Sequence, residues 1–386
     1  MTRTDATWFS SRCGRVTIAV ACLSIVATIL GGCSAPKHEQ FAAQAAAAIP
    51  SSVASRALSA APRLALAPAL SQRRSPTPGQ RRSPTPYQKQ SPVHSLGTNQ
   101  IPTPSGSGAY VRAGAPGALA AFGRWRGRPA DFAVDFLSSQ SWSALDSPTW
   151  ELGQWRAART PLVIAVPMLI DGSSTTLRAG ARGAYDGYFR RLAQTLVHYR
   201  YGSASLRVGW EMNGSWYRWS AFYDPSAWVT YYRRIVTVMR SVPGQSFRFD
   251  WNLNLGSASV QPARIYPGNA YVDYIGVDAY DWYWRHPAST PADRWSWIVS
   301  QPHGLNWVAS FAAAHGKPIT VPEWGLASRS AVRSGGGDDS YYIIAMLRWI
   351  RRHHVAYESY FNRKDHTISG GAYPSAATAY MAAMRS

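Results

Sequence analysis

From Ala109 to the C-terminus, short apolar runs alternate with stretches in which apolar side chains recur every three or four positions. The short runs predict strands near Tyr110–Ala113, Phe132–Phe136, Leu162–Pro167, Leu206–Trp210, Phe247–Leu253, Tyr274–Ala279, Ile319–Pro322 and Ala356–Phe361. Helical spacing fits between several of them. Asp224-Pro225 opens the clearest helix, with Asp224 as N-cap, Pro225 in the first turn and Trp228, Tyr231, Tyr232, Ile235, Val236 and Met239 on one face. Tyr185–Tyr199, Leu305–His315, Tyr341–His354 and Ala376–Met384 follow the same rule. Strands and helices alternating in this way predict an α/β fold, a (β/α)8 TIM barrel over residues 108–386. A doubly wound sheet is the alternative architecture.

The first part of the chain has another texture. Arg3, Arg12 and Arg15 precede an apolar run from Val16 to Leu30, which ends in Gly31-Gly32-Cys33. A basic head, an apolar stretch too short for an ordinary membrane span and a small-residue exit predict an export signal over residues 1–32. Leu30-Gly31-Gly32-Cys33 resembles the bacterial lipobox, which implies lipidation at Cys33 and a membrane anchor. A simply cleaved signal or an uncleaved anchor are the other outcomes. Residues 33–107 read as a disordered linker rich in Ala, Ser, Pro and Gln, in which Gln72-Arg-Arg-Ser-Pro-Thr-Pro78 recurs as Gln80-Arg-Arg-Ser-Pro-Thr-Pro86. The protein is thus expected outside the cytoplasm, as a cell-surface lipoprotein or a secreted protein.

Charge and cysteine narrow the classes of function. The net charge is +20, yet only four of the 40 basic residues are Lys, a skew that points to Arg usage rather than to a phosphate-binding surface. No recognition motif accompanies the charge, so nucleic acid is not expected as a partner. Cys13, Cys22 and Cys33 all precede the barrel, which therefore has no disulfide, thiolate metal site or Cys nucleophile. No spaced cluster of ligands suggests a metal, and no cofactor is expected.

The chemistry concentrates in two places. The fourth strand runs into Gly209-Trp210-Glu211, followed by Asn213-Gly214 and the aromatics Trp216, Tyr217 and Trp219. The seventh runs into Pro322-Glu323-Trp324-Gly325. In a barrel of this kind reactive groups sit at the C-terminal ends of strands. A pair of carboxyls there suits glycoside cleavage, one protonating the leaving oxygen and the other attacking the anomeric carbon.

Glu-x-Asn-Gly-x-Trp after strand four, Gly276-Val-Asp-Ala-Tyr280 after strand six, Pro-Glu-Trp-Gly after strand seven and the tail from Tyr360 to Tyr380 resemble glycoside hydrolase family 26. That resemblance implies a retaining β-glycanase acting on β-mannan, glucomannan or mixed-linkage β-glucan, with Glu211 as acid/base and Glu323 as nucleophile. It places Tyr280 beside the nucleophile and makes Trp216 a stacking platform, with Asn213, Trp219, Trp282 and Trp324 as further sugar-binding candidates. Mannanases of the family carry His immediately before the acid/base; Trp210 stands there in this chain, which weakens the case for mannan.

Several of these residues have a second reading. Trp282 and Trp284 fit a glycan cleft or loop packing equally, and Trp324 could face the sugar or the barrel wall. Asp250 and Asn252 alternate on strand five and so point into the barrel together, while Asp278 reads as a buried structural acid. Gly335-Gly-Gly-Asp338-Asp339 reads as a loop leading to an Asp-capped helix, with Ca²⁺ binding as the alternative. The expectation is a surface-anchored, monomeric endo-β-glycanase whose partner is a β-linked polysaccharide; a catalytically inactive glycan-binding barrel is the alternative.

Overall fold

The structure, a computed structural model, describes residues 100–256, 259–283, 290–329 and 335–385. The export segment, Cys33, the Arg/Pro repeat and Trp284 lie outside the described residues. Eight parallel strands close into a barrel in chain order: β1 (Gly106–Tyr110), β2 (Ala133–Phe136), β3 (Leu162–Val166), β4 (Ser205–Val208), β5 (Arg248–Asn254), β6 (Tyr274–Tyr280), β7 (Ile319–Gly325) and β8 (Tyr357–Phe361). Closure comes from β1 lying beside β8, with Ala109 opposite Tyr360. The expected (β/α)8 barrel is therefore the fold, and a doubly wound sheet, which has edges, is not.

The helices follow from local chemistry. In Pro225–Arg240 the six apolar residues named from their spacing are all buried, and the Asp224 carboxylate accepts the Ala227 N–H at 3.0 Å. The Asp-capped helix expected after Gly335–Asp339 is found, and Asp338 and Asp339 each serve a helix start. Asp339 accepts from Tyr342 N at 3.0 Å, while Asp338 accepts from Ser375 N and Ala376 N, at 3.0 and 2.8 Å. Their oxygens therefore satisfy amides that a helix start would otherwise leave bare.

Two boundaries move. The first strand was expected at Tyr110–Ala113 and is found at Gly106–Tyr110. Its Gly-Ser-Gly-Ala sequence has no apolar alternation to read, and small residues are needed because the Phe132 ring lies directly against Gly108. The barrel likewise begins before residue 108: Ile101 is already buried, and its N–H donates to Arg200 O at 3.1 Å.

Inside the barrel, Tyr110, Phe132, Val134, Val163, Tyr280, Tyr357 and Phe361 form one apolar cluster. Alongside it Asp250 lies fully buried, accepting from Thr320 Oγ1 at 2.7 Å and from the Tyr357 hydroxyl. The polar side chains of β4 to β7 thus share the lumen with aromatic ones from β8, β1 and β2.

Gly108→Ala tests this packing. The new methyl would fall 2.5 Å from the buried Phe132 ring. Overpacking of this kind costs about 1–3 kcal/mol, so the urea midpoint should drop accordingly; an unchanged midpoint would show that Phe132 has room to move.

Candidate active site

Glu211 is presented by a strained turn. β4 stops at Val208, after which Gly209 and Glu211 both take left-handed backbone, at φ 58° and 53°. For Glu that conformation is costly, and the turn is held by bonds on both sides. Gly209 N–H donates to Val166 O at 2.9 Å and Glu211 N–H to Asn252 O at 2.8 Å. The strain turns the Glu211 side chain over the barrel mouth, where it is 8% exposed. Asn254 Nδ2 donates to its Oε1 at 2.6 Å and Trp216 Nε1 to its Oε2 at 2.9 Å.

Glu323, 5% exposed, projects from within β7 rather than from beyond it. Arg207 Nη2 donates to its Oε1 at 2.6 Å and the Tyr280 hydroxyl to its Oε2 at 2.9 Å. The same Arg207 Nη2 donates to Asp278 Oδ2 at 2.5 Å, and Arg207 Nε bonds the side-chain oxygen of Asn252. Asn252 in turn donates from Nδ2 to Asp278 Oδ1 at 3.1 Å. Strands β4, β5, β6 and β7 thus each contribute one member of a buried ring: Arg207, Asn252, Asp278 and Glu323.

The two glutamates are held by different partners. Burial, and after it the negative charge of Glu323, push the Glu211 pKa up from an ordinary 4.5 to about 7. The hydrogen bonds from Asn254 and Trp216, and the Arg207 charge, only partly oppose this. Burial by itself would lower the Arg207 pKa, but Asp278 and Glu323 raise it on balance, so the guanidinium stays charged. Glu211 is therefore placed to carry a proton near neutral pH, beside a carboxylate that is ion-paired and hydrogen-bonded.

The structure sorts the other candidates. Trp216 lies half-buried at the mouth with its indole N–H on Glu211, and its ring covers Gly214 so closely that a Cβ there would sit 2.2 Å away. Tyr280 meets Glu323 and packs on His366, with ring centroids 4.4 Å apart. Trp282 is half-buried at the end of β6, near the His366 ring.

Three expected sugar contacts are corrected, because each is shut off from solvent. Trp219 is stacked on Tyr217 at 4.4 Å and donates to Trp210 O at 3.1 Å. Trp324 points to the barrel's outer side, where its indole N–H donates to Glu358. Asn213 is wholly enclosed, clamping Asn254 by donating to its carbonyl and accepting from its N–H, both at 2.8 Å. It thus acts on Glu211 through Asn254. Trp210 is buried as well: its N–H goes to Tyr217 OH at 3.1 Å and its ring lies edge-on to Phe136.

Sequence reasoning missed Arg207, Asn254, Phe136 and His366. Arg207 carried a usable signal, a lone charge inside the apolar run Leu206-Arg-Val208. Asn254 continues the alternation of Asp250 and Asn252 by one more step.

Residues 193–320 match the sequence profile of Glycosyl hydrolase family 26, a span that contains β4 to the start of β7 with Glu211, Tyr280 and Trp216. That segment, a third of the chain, is thus similar to glycosyl hydrolase family 26. Among its relatives, Endoglucanase H of Acetivibrio thermocellus is 29% identical over 156 residues, 38% of this chain and 16% of that protein. The mannan endo-1,4-beta-mannosidase of Bifidobacterium adolescentis is 30% identical over 141 residues, 33% of this chain and 13% of that protein. The matched stretch thus spans less than a fifth of either relative's length. The barrel also superimposes on a Cellulomonas fimi endo-beta-1,4-mannanase double mutant with a TM-score of 0.53 and 18% identity, covering 74% of this chain and 70% of that one. At that identity the likeness is one of fold.

The raised pKa of Glu211 has a consequence for stability. A carboxyl that titrates higher folded than unfolded binds more protons in the folded state between the two values, so it costs stability as pH rises from 4.5 to about 7. Glu211→Gln removes that titration. The stability of the Gln variant relative to the native chain should therefore grow by roughly 2–3 kcal/mol across this window. Urea unfolding at several pH values measures it, and a pH-independent difference would contradict the assignment.

Proposed function

We propose that the protein is a retaining β-glycanase that hydrolyses a β-1,4-linked polysaccharide of the glucan or mannan type. The observation that carries the reading is the pair of unlike carboxyl environments at one barrel mouth. Glu211 is buried and proton-holding, whereas Glu323 is paired with Arg207 and Tyr280. In this reading Glu323 attacks the anomeric carbon while Glu211 protonates the departing glycosidic oxygen, leaving a glycosyl ester on Glu323. Glu211, now a carboxylate, then takes a proton from water as the water attacks the same carbon, and the configuration is retained. Tyr280 and Arg207 hold Glu323 in line for attack and spread the charge that returns to it when the ester is hydrolysed.

The relatives' names, an endoglucanase and a mannan endo-1,4-beta-mannosidase, support a β-glycan substrate. Trp210 turns its only N–H to Tyr217, so it offers no hydrogen bond to a sugar hydroxyl at the position where His stands in mannanases. That favours a glucan backbone over mannan. Export with a lipid anchor on Cys33 belongs to the same reading and rests on the Leu30–Cys33 motif. A membrane-bound enzyme of this kind would work on polymer outside the cell. Cys33→Ala should then release the protein from the membrane fraction; unchanged retention would remove the anchor.

Hydrolysis is tested by reducing-sugar release from mixed-linkage glucan, glucomannan and mannan. Glu211→Gln and Glu323→Gln should each lower turnover by roughly a hundredfold to ten-thousandfold. Activity within a few-fold of native in either variant would sink the two-glutamate mechanism. The pH profile adds a signed test. Activity should fall as pH rises through about 7, where Glu211 loses its proton. Because the Asn254 amide favours the charged form of Glu211, Asn254→Ala should move that alkaline limb to higher pH. A shift to lower pH would contradict the role of Asn254.

A further inference from the structure

The loop that carries Glu211 ends in two large aromatic residues turned to solvent. Phe222 is 52% and Tyr223 60% exposed, although Tyr217 and Trp219 on the same loop are buried. Flexibility of the loop does not account for this exposure, because the loop is tied to itself throughout. Ala221 N–H donates to Met212 O at 3.0 Å, Phe222 N–H to Ser220 Oγ at 3.1 Å, and Ser220 Oγ to Gly214 O. The Tyr223 hydroxyl donates to Ser215 O at 2.9 Å, which fixes the ring beside the residue that precedes Trp216. Asp224 then caps the following helix and pairs with Arg178 at 2.6 Å. The two rings meet edge to face, centroids 5.7 Å apart at 70°, and form a right-angled notch of aromatic surface.

A pre-ordered, exposed aromatic notch loses hydration free energy without any gain in the folded chain, and its flat faces suit the C–H face of a pyranose ring. We propose that Phe222 and Tyr223 bind sugar units of the polysaccharide on the leaving-group side of the scissile bond. The side follows from the loop's course: it starts at Glu211, which faces the leaving oxygen, and belongs to β4 rather than to β7, which carries the nucleophile. The inference rests on the hydrolytic reading above for which side is bound, but not for sugar binding itself. Tyr223 links to Trp216 through Ser215, and Trp216 bonds Glu211, so the notch and the acid share one rigid frame. A chain seated there would extend beyond the cleavage point, as a polymer does and a short glycoside does not.

The experiment compares the native chain, the double variant Phe222→Ala/Tyr223→Ala, and Tyr223→Phe. Two substrates are needed: a soluble β-1,4-linked polysaccharide that the native chain cleaves, and a 4-nitrophenyl β-glycoside whose leaving group is one small ring. The double variant should lose about tenfold in kcat/KM on the polysaccharide while staying within about twofold on the aryl glycoside. Tyr223→Phe keeps the ring but loses the hydroxyl bond to Ser215 O that fixes it, so its loss on the polysaccharide should fall between the native chain and the double variant, with the aryl glycoside again within about twofold. Equal losses on both substrates, or no loss on the polysaccharide, would overturn the proposal. Retardation in a gel containing mixed-linkage glucan or glucomannan reads binding apart from hydrolysis. It should vanish in the double variant even if the native chain cleaves nothing, an outcome that would retire the hydrolytic reading alone. Retardation unchanged in the double variant would retire the notch.

Discussion

The site depends on a single buried guanidinium. Arg207 is wholly enclosed, yet it bonds Glu323, Asp278 and Asn252 at once. Taking a cation and two acids out of water is expensive, and only close, well-bonded pairing offsets it. Remove Arg207 and two carboxyls remain in the lumen with no cation against them, one of them the group proposed to attack the sugar. Burial already holds Asp278 well above the usual carboxylate range, even with Arg207 opposing it.

That constraint explains how the lumen is divided. Strands β4 to β7 supply Arg207, Asn252, Asp278 and Glu323, while Tyr110, Phe136 and Phe361 from β1, β2 and β8 make the facing wall. Phe136 connects the two halves, with the Arg207 guanidinium 5.6 Å from its ring centre and Trp210 edge-on at 5.6 Å. A low-dielectric wall strengthens each polar contact opposite it. At the mouth, burial of the Glu211 carboxyl is the main reason that its pKa rises. The left-handed turn at Glu211 stores strain where the chemistry is proposed, and the Asn213–Asn254 clamp keeps it in place.

Much of this was legible in the sequence, and the losses have physical causes. A strand buried on both faces, such as Leu162–Val166, reads clearly because it is a continuous apolar run. β1 did not, because its Gly and Ser are there to make room for Phe132 and not to be apolar. The carboxyls at the ends of β4 and in β7 stood out by position. Trp219 and Trp324 were misplaced since a tryptophan near a catalytic acid has the same one-letter signature whether it faces sugar or core. Only the fold decides, through the stack on Tyr217 and the bond to Glu358. Asn213 shows the opposite case, a motif residue whose influence on the acid passes through a neighbour.

The division of labour between Glu211 and Glu323 is tested most directly by azide rescue of Glu211→Ala and Glu323→Ala on an activated aryl β-glycoside. Azide replaces the missing group from whichever side of the anomeric carbon it served, so the product's configuration names the role. The account predicts a β-glycosyl azide from Glu211→Ala, formed by attack on the intact Glu323 ester, and an α-glycosyl azide from Glu323→Ala. The reverse assignment of products, or rescue of neither variant while the native chain is active, would contradict it.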